Sequence, residues 1–415
     1  MLRGLYAVYF FFNKVPTKTN VYYDIALEII KQGKMFYETN NTYFDVVGPV
    51  IPWISAITMI FFGQNYLGIY LVTTVGSALL TYYTYKTARL FLSKNVSILI
   101  GFWSIFYIFY YYYTPNPGKD IWMSFCMIFL IYMLLKLFAK NQFLYKNYLF
   151  FIFIFVVSFH IDERFIIFSP FIFFFILYHE THAFNRFKVK KTVLYVIVVV
   201  LLMIPWTIRN YHKYDKIVIL TNRTERFTDK IFGYESKDEY FSDDFTSVKG
   251  LFYIEDSQID SVIAGTKTLT DGGYNISEAQ VIAMKNGILP KPLTGFKAFL
   301  SRIKTMFEPY QLKGNFEQTG YYYYEKSLRN NIATFLFYGL LFLFSFPGFY
   351  FLYKIKKTAF YLFLSTIIIY TLIHALTIPY TNWRYRLPLD AIFIIVGCLG
   401  MYKIYCRIRN RFKAN

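Results

Sequence analysis

Apolar residues along the 415-residue chain gather into long blocks separated by short connections. A helix of about 20 apolar residues crosses a hydrocarbon core of ~30 Å, and most of the blocks approach that length. The pattern predicts ten membrane spans, at about 2–13, 66–85, 96–113, 121–137, 148–161, 164–180, 192–207, 331–353, 358–378 and 387–404. The expected fold class is therefore an all-α polytopic membrane protein. Leu2 to Phe12 is short for a full crossing, as a truncated start or a partly inserted helix would be. No small-residue cleavage site follows it, so it does not read as a signal peptide.

Two stretches carry a different pattern. Tyr22, Ile25, Ala26, Ile29 and Ile30 recur at the spacing of one helix face, with Asp24, Glu28 and Lys31 opposite and Gly33 placed to end the helix. Such a helix lies on a bilayer with its carboxylates turned outward. Residues 48–63, GPVIPWISAITMIFFG, are apolar enough to span. A crossing here would invert the sidedness of every later loop, so the expectation is an outer-face helix at, or dipping into, the interface.

Charge supports this count. The formal net charge is +19, which taken alone would suggest nucleic acid. Residues 208–330 are nearly balanced, with 17 Lys/Arg and 16 Asp/Glu, whereas the remainder holds 27 against 9. The excess sits in short connections: Lys86 to Lys94, Lys136 to Lys146, Arg186 to Lys191, Lys354 to Lys357 and Lys403 to Lys413. Short basic loops mark the cytoplasmic side. With the N-terminus inside, all five clusters fall inside, and 14–65, 114–120, 162–163, 208–330 and 379–386 fall outside. The basicity is thus a topology signal with membrane lipids as partners, and no nucleic acid is expected. Three regions follow. Residues 1–207 form a transmembrane module whose first outer loop, 14–65, carries juxtamembrane helices. Residues 208–330 form a large outer loop domain, and 331–415 a C-terminal transmembrane module with a basic cytoplasmic tail.

Composition agrees: 56% of residues are hydrophobic, 23% aromatic and only 17% charged. Soluble domains carry about 25% charge, so a purely soluble enzyme and a disordered chain are both excluded. Cys126, Cys398 and Cys406 form neither a disulfide framework nor a CxxC pair. No P-loop, GxGxxG, HExxH or GxSxG occurs. His179 and His182 read as loop residues beside the basic cluster rather than as a metal site.

Charged groups at membrane depth cost about 2.5–3.5 kcal/mol each, so they are functional candidates. Four corners stand out, all on the outer face: Lys119-Asp120 after PNPG, His160 to Arg164, PWTIRNY at 205–211, and Trp383 to Pro388. Cations beside carboxylates at such a surface suit a lipid-linked phosphate. Arg and Lys hold the phosphate and stabilise its charge as it leaves, and a carboxylate accepts the proton of an attacking hydroxyl or amine. The runs Tyr110–Tyr113 and Tyr321–Tyr324 offer flat faces for sugar or isoprenoid, beside their ordinary reading as interfacial belt residues.

In order along nearly the whole chain, these segments resemble the GT-C glycosyltransferases of the protein O-mannosyltransferase and lipid A aminoarabinose transferase group. Tyr22 to Gly33 resembles the family's juxtamembrane helix, and Tyr43-Phe44-Asp45 with Pro49 and Pro52-Trp53 its acidic-then-proline segment. Lys119-Asp120, Arg164, PWTIRNY and RYRLPL at 384–389 match further family positions. Two positions depart from it: Lys18 stands where the family carries an Asp four residues before Tyr22, and Val46 replaces a Lys. The resemblance implies transfer of a sugar from a polyprenyl-phosphate carrier to a glycan, lipid or protein acceptor at the outer face, with inversion. Asp45 or Asp24 is then the expected base, and Asp120 orients the sugar or acceptor. Lys119, Arg164, Arg209, Arg384 and Arg386 form the donor-phosphate set, supported by Glu163, Asp162, Trp206 and Tyr22. No cofactor is expected and no metal site is assigned, a divalent ion staying open. The alternatives are a polysaccharide polymerase or ligase using lipid diphosphates, and a lipid-linked glycan transporter. The expected location is the bacterial inner membrane with the active face outward, ahead of the endoplasmic reticulum.

Overall fold

The computed structural model of the chain describes residues 2–13, 21–34, 48–115, 118–139, 144–184, 190–215, 217–220, 299–300, 303–304, 306–307, 332–377 and 383–414. Among them every regular element is helical. In order these are α1 (Leu2–Asn13), α2 (Val21–Gln32), α3 (Val50–Phe62), α4 (Tyr66–Arg89), α5 (Lys94–Phe106), α6 (Ile108–Tyr113) and α7 (Asp120–Leu134, continued by a wide turn Leu135–Ala139). Then come α8 (Tyr145–Ile161), a tight turn Glu163–Ile167, α9 (Phe168–Phe184), α10 (Lys190–Tyr214), and α11 (Leu340–Ile355), which a wide turn Phe335–Gly339 introduces. Last are α12 (Lys357–Thr377), a tight turn Trp383–Arg386 and α13 (Leu387–Ala414). Contacts divide the chain into two compact units. One is Met1–Thr228 with Pro309–Thr366 and Leu387–Asn415; the other is Asp229–Glu308 with Ile367–Arg386.

Nine of the predicted spans each fall on one helix with its adjoining turn, the tenth, 96–113, falls on α5 and α6, and six of the described helices are long and apolar enough to cross a membrane. Burial sorts them. In α7 and α13, 78% of the apolar window is enclosed by protein, against 22% in α10. The first two are therefore central and α10 is peripheral. Two glycine pairings set the closest approach. Gly348 on α11 faces the Val396 carbonyl, and Gly400 on α13 faces the Phe344 carbonyl, so that any side chain there would overlap backbone. Small residues at such contacts let helices in a membrane pack by direct backbone approach.

α3 lies where the charge pattern requires it. Its 13 residues reach only ~20 Å, too short for a crossing. At one end Gly68 of α4 packs on Thr58, and at the other Gly48 packs on the His160 carbonyl at the end of α8. Both contacts are at helix ends that the basic-loop pattern assigns to one face, so α3 runs along that face. α2 packs onto it as its apolar stripe predicts: Ile25, Ala26 and Ile29 join Ala56, Met59 and Ile69 in one core cluster.

Two boundaries differ from expectation. The block 96–113 is broken at Tyr107, whose backbone is extended (ψ 110°). That break frees carbonyls at the end of α5, and they are met from α1. Arg3 donates to the carbonyls of Ser104 and Ile105, to the Ser77 carbonyl (3.0 Å) and hydroxyl (2.6 Å), and to Thr81 Oγ1 (3.1 Å). The other difference is α10, which runs past 207 to Tyr214 with Pro205 inside it.

Candidate functional site

The centre of the site is the corner between α8 and α9. The Asp162 backbone leaves the helix in extended form (φ −152°, ψ 119°), and its side chain accepts from the Arg164 amide at 3.0 Å, starting the turn Glu163–Ile167. The same carboxylate accepts from Arg164 Nε at 2.6 Å and from its Nη2, and pairs with Lys119 Nζ at 2.5 Å. Asp162 is fully buried, and only about a tenth of each cation's side chain is exposed. Burial alone would push the Asp162 carboxyl up. Arg164 and Lys119 outweigh it by charge and hydrogen bonding, and hold it well below the usual carboxylate range. The trio therefore stays charged in a dry setting.

Two more buried carboxylates adjoin it in sequence. Asp120 opens α7 directly after Lys119, where the helix N-terminus favours negative charge, and Glu163 follows Asp162. Nearby, Trp206 of α10 is met edge-on by Trp53 of α3 (6.0 Å between ring centroids) and by His160 of α8 (5.9 Å). Arg209 lies 4.9 Å over the Trp206 ring and donates to Asn210 Oδ1 at 2.9 Å.

The PWTIRNY segment also performs a task that the sequence did not disclose. Trp206 Nε1 donates to the Leu220 carbonyl (2.6 Å), and Asn210 Nδ2 donates to Val218 and Leu220 (2.9 and 3.0 Å). These bonds clasp the returning segment 217–220 against α10. Trp206 is thus a buried fastener rather than an open stacking face.

The structure brings Lys119, Asp162 and Arg164 into direct contact. Asp24 is half-buried on α2, outside that trio, and burial raises its carboxyl above the ordinary value. Tyr22 is buried. Tyr110 is fully buried with Arg3 5.1 Å over its ring, which makes it packing rather than a sugar platform. In the second unit, Arg384 is half-buried and Arg386 fully buried in the turn Trp383–Arg386. Asp45, Lys18, Tyr321–Tyr324, most of 208–330 and the side chains of His179 and His182 lie outside the described residues.

Sequence reasoning did not single out three buried polar groups. Asp390, fully buried in the first turn of α13, had a signal in its place one turn after Arg386 within an apolar block. Arg3 had the same signal, a cation inside an apolar block. Asn210 had none. Among the described residues no three His, Cys, Asp or Glu side chains group as metal ligands.

Residues 46–208, which include the whole trio, match the family of dolichyl-phosphate-mannose-protein mannosyltransferases. No curated protein matches the chain by sequence. Among solved structures, the apo oligosaccharyltransferase of Archaeoglobus fulgidus aligns with 100% of this chain and 51% of its own, at 12% identity and a TM-score of 0.53. Oligosaccharyltransferase AglB of the same organism, in complex with an inhibitory peptide and a dolichol-phosphate, aligns at 13% identity and a TM-score of 0.54, over 100% and 50% of the two chains. ArnT of Cupriavidus metallidurans bound to undecaprenyl phosphate scores 0.43 at 11% identity, over 96% and 76%, too slight a likeness to carry weight. The chain spans about half the length of the archaeal structures it matches. It is an integral membrane protein with the GT-C fold.

Proposed function

We propose that the chain transfers a sugar from a polyprenyl-phosphate carrier to a glycan, lipid or protein acceptor at the outer face of a bacterial inner membrane. The observation that carries this reading is the buried Lys119–Asp162–Arg164 trio at a membrane-surface corner. Two cations pinned by one carboxylate are pre-set for an anion, and a low-dielectric setting strengthens their hold on developing charge. The match of 46–208 to a family named for a polyprenyl monophosphate sugar favours a monophosphate donor over a diphosphate.

In this scheme the acceptor oxygen attacks C1 of the sugar on the face opposite the phosphate. The C1–O bond to phosphate breaks as the new bond forms, with inversion. The acceptor proton passes to Asp24 or Asp45. The raised carboxyl of Asp24 suits a base better than a salt-bridged one would. The electron pair leaves on polyprenyl phosphate, whose charge Lys119 and Arg164 receive. Asp162 and Glu163 act as positioning residues, Asp120 orients the sugar or acceptor, and Arg209 extends the phosphate set. In sequence, residues 208–330 are read as an outer loop domain that follows transmembrane module 1–207 and precedes transmembrane module 331–415.

The test is a transfer assay on purified protein with labelled polyprenyl monophosphate and diphosphate sugars, with and without membrane acceptors. Release from the monophosphate donor alone, abolished in Asp120→Asn and in either Asp24→Asn or Asp45→Asn, is the expected result. Release from diphosphate donors only would replace this reading with the polymerase or ligase.

A further inference from the structure

The basic end of the spans carries an arrangement that sugar transfer does not use. On α11, Tyr350 stands four residues before Lys354, whose Nζ lies 4.5 Å from the ring centroid and acts electrostatically on the phenol. On α13, Arg407 lies 4.8 Å over the Phe351 ring and acts electrostatically on Tyr350 as well. Two cations from two helices thus converge on one Tyr-Phe pair. Neither Lys354 nor Arg407 forms an ion pair among the described residues. Both cations are exposed.

Leading to them is an apolar lane. Leu343, Phe346 and Tyr350 follow one face of α11 and are 53%, 65% and 51% exposed. From Leu343 to Lys354 the helix rises about 16 Å, close to the ~15 Å hydrocarbon depth of a single leaflet. The lane therefore presents apolar surface through one leaflet and ends in two unpaired cations at headgroup level. Aromatic faces hold each cation in place without neutralising it.

We infer that the inner ends of α11 and α13 form a binding site for an anionic glycerophospholipid, its phosphate held between Lys354 and Arg407 and an acyl chain lying along Leu343, Phe346 and Tyr350. Charge complementarity with an anionic leaflet and the one-leaflet length of the lane together select this occupant over a soluble anion or a protein. Because α11 and α13 pack through Gly348 and Gly400, such a lipid braces the central helix pair.

The test uses the full purified chain in neutral detergent, titrated with dioleoyl-phosphatidylglycerol or dioleoyl-phosphatidylcholine and read by native mass spectrometry. The expected result is retained phosphatidylglycerol and little phosphatidylcholine. Each cation contributes about fivefold in affinity, so Lys354→Gln with Arg407→Gln weakens phosphatidylglycerol binding about twenty-five-fold. The equal charge loss of Arg409→Gln with Lys413→Gln should weaken it less than fivefold. Equal weakening in both double variants would mean a diffuse field and overturn the site. So would equal retention of the two lipids by the unaltered protein, which needs no variant to fold. Competition by millimolar glycerol phosphate as effective as the lipid would overturn the lane.

Discussion

Asp162→Asn keeps the size of the side chain and its ability to cap the turn Glu163–Ile167, but removes the charge between Lys119 and Arg164. Removing one partner of a buried ion pair costs about 3–5 kcal/mol, because the other charge stays buried and uncompensated. Here one carboxylate serves two cations. Their small exposure lets water recover part of the loss, so the expected cost is about 4 kcal/mol. That corresponds to a fall in Tm of roughly 5 °C for a chain of 415 residues. Lys119→Met should cost less, because Asp162 keeps Arg164 at 2.6 Å. Thermal unfolding of the purified variants in one detergent at pH 7 reads both. An Asp162→Asn variant within 1 °C of the unaltered protein would refute the reasoning, and so would a larger loss in Lys119→Met.

Further outcomes follow from the same geometry. The Asp162 carboxyl is depressed in the fold, so its stabilisation is complete above the ordinary carboxylate value of about 3.9 and is lost as pH falls through its depressed value. The Tm gap between unaltered protein and Asp162→Asn should therefore be flat from pH 8 to 5 and close only below about 4; a gap closing near pH 6 would contradict this. With Asp24 as base, the acid limb of kcat/KM lies above the ordinary carboxylate value, because burial raises that group; a limb that survives in Asp24→Asn moves the role to Asp45. Trp206→Phe loses the bond to Leu220 and should lower stability by about 1–3 kcal/mol, with faster proteolysis near 217–220; unchanged cleavage would argue against the clasp. Gly400→Val places a side chain on the Phe344 carbonyl and should abolish monodisperse elution on size exclusion.

The fold was legible because its main signals are long-range averages of apolarity and charge. Ten blocks and five basic clusters do not depend on the fate of any one residue. α3 shows the same logic: sidedness alone placed it along a face, and its contacts with Thr58–Gly68 and His160–Gly48 agree. What the sequence could not show is which charges meet. Lys119 and Asp162 are 43 positions apart, and only the packing of α7 beside α8 joins them. The break at Tyr107 was hidden for the opposite reason. The residue is apolar and helix-compatible, and the compensating donor, Arg3, lies about a hundred residues away. PWTIRNY was recognisable as a segment, yet the fastening role of Trp206 and Asn210 depends on carbonyls of the returning chain.

The measurement that tests the central claim most directly is single-turnover release of free polyprenyl phosphate from a labelled polyprenyl-phosphate sugar. It should compare unaltered protein with Arg164→Met and Lys119→Met, each first shown to elute monodisperse. The account predicts release by the unaltered protein and a fall of about 100-fold or more in each variant, in line with the loss of one group that stabilises departing charge. Release at the unaltered rate in both variants, or no release from any monophosphate donor, would contradict it.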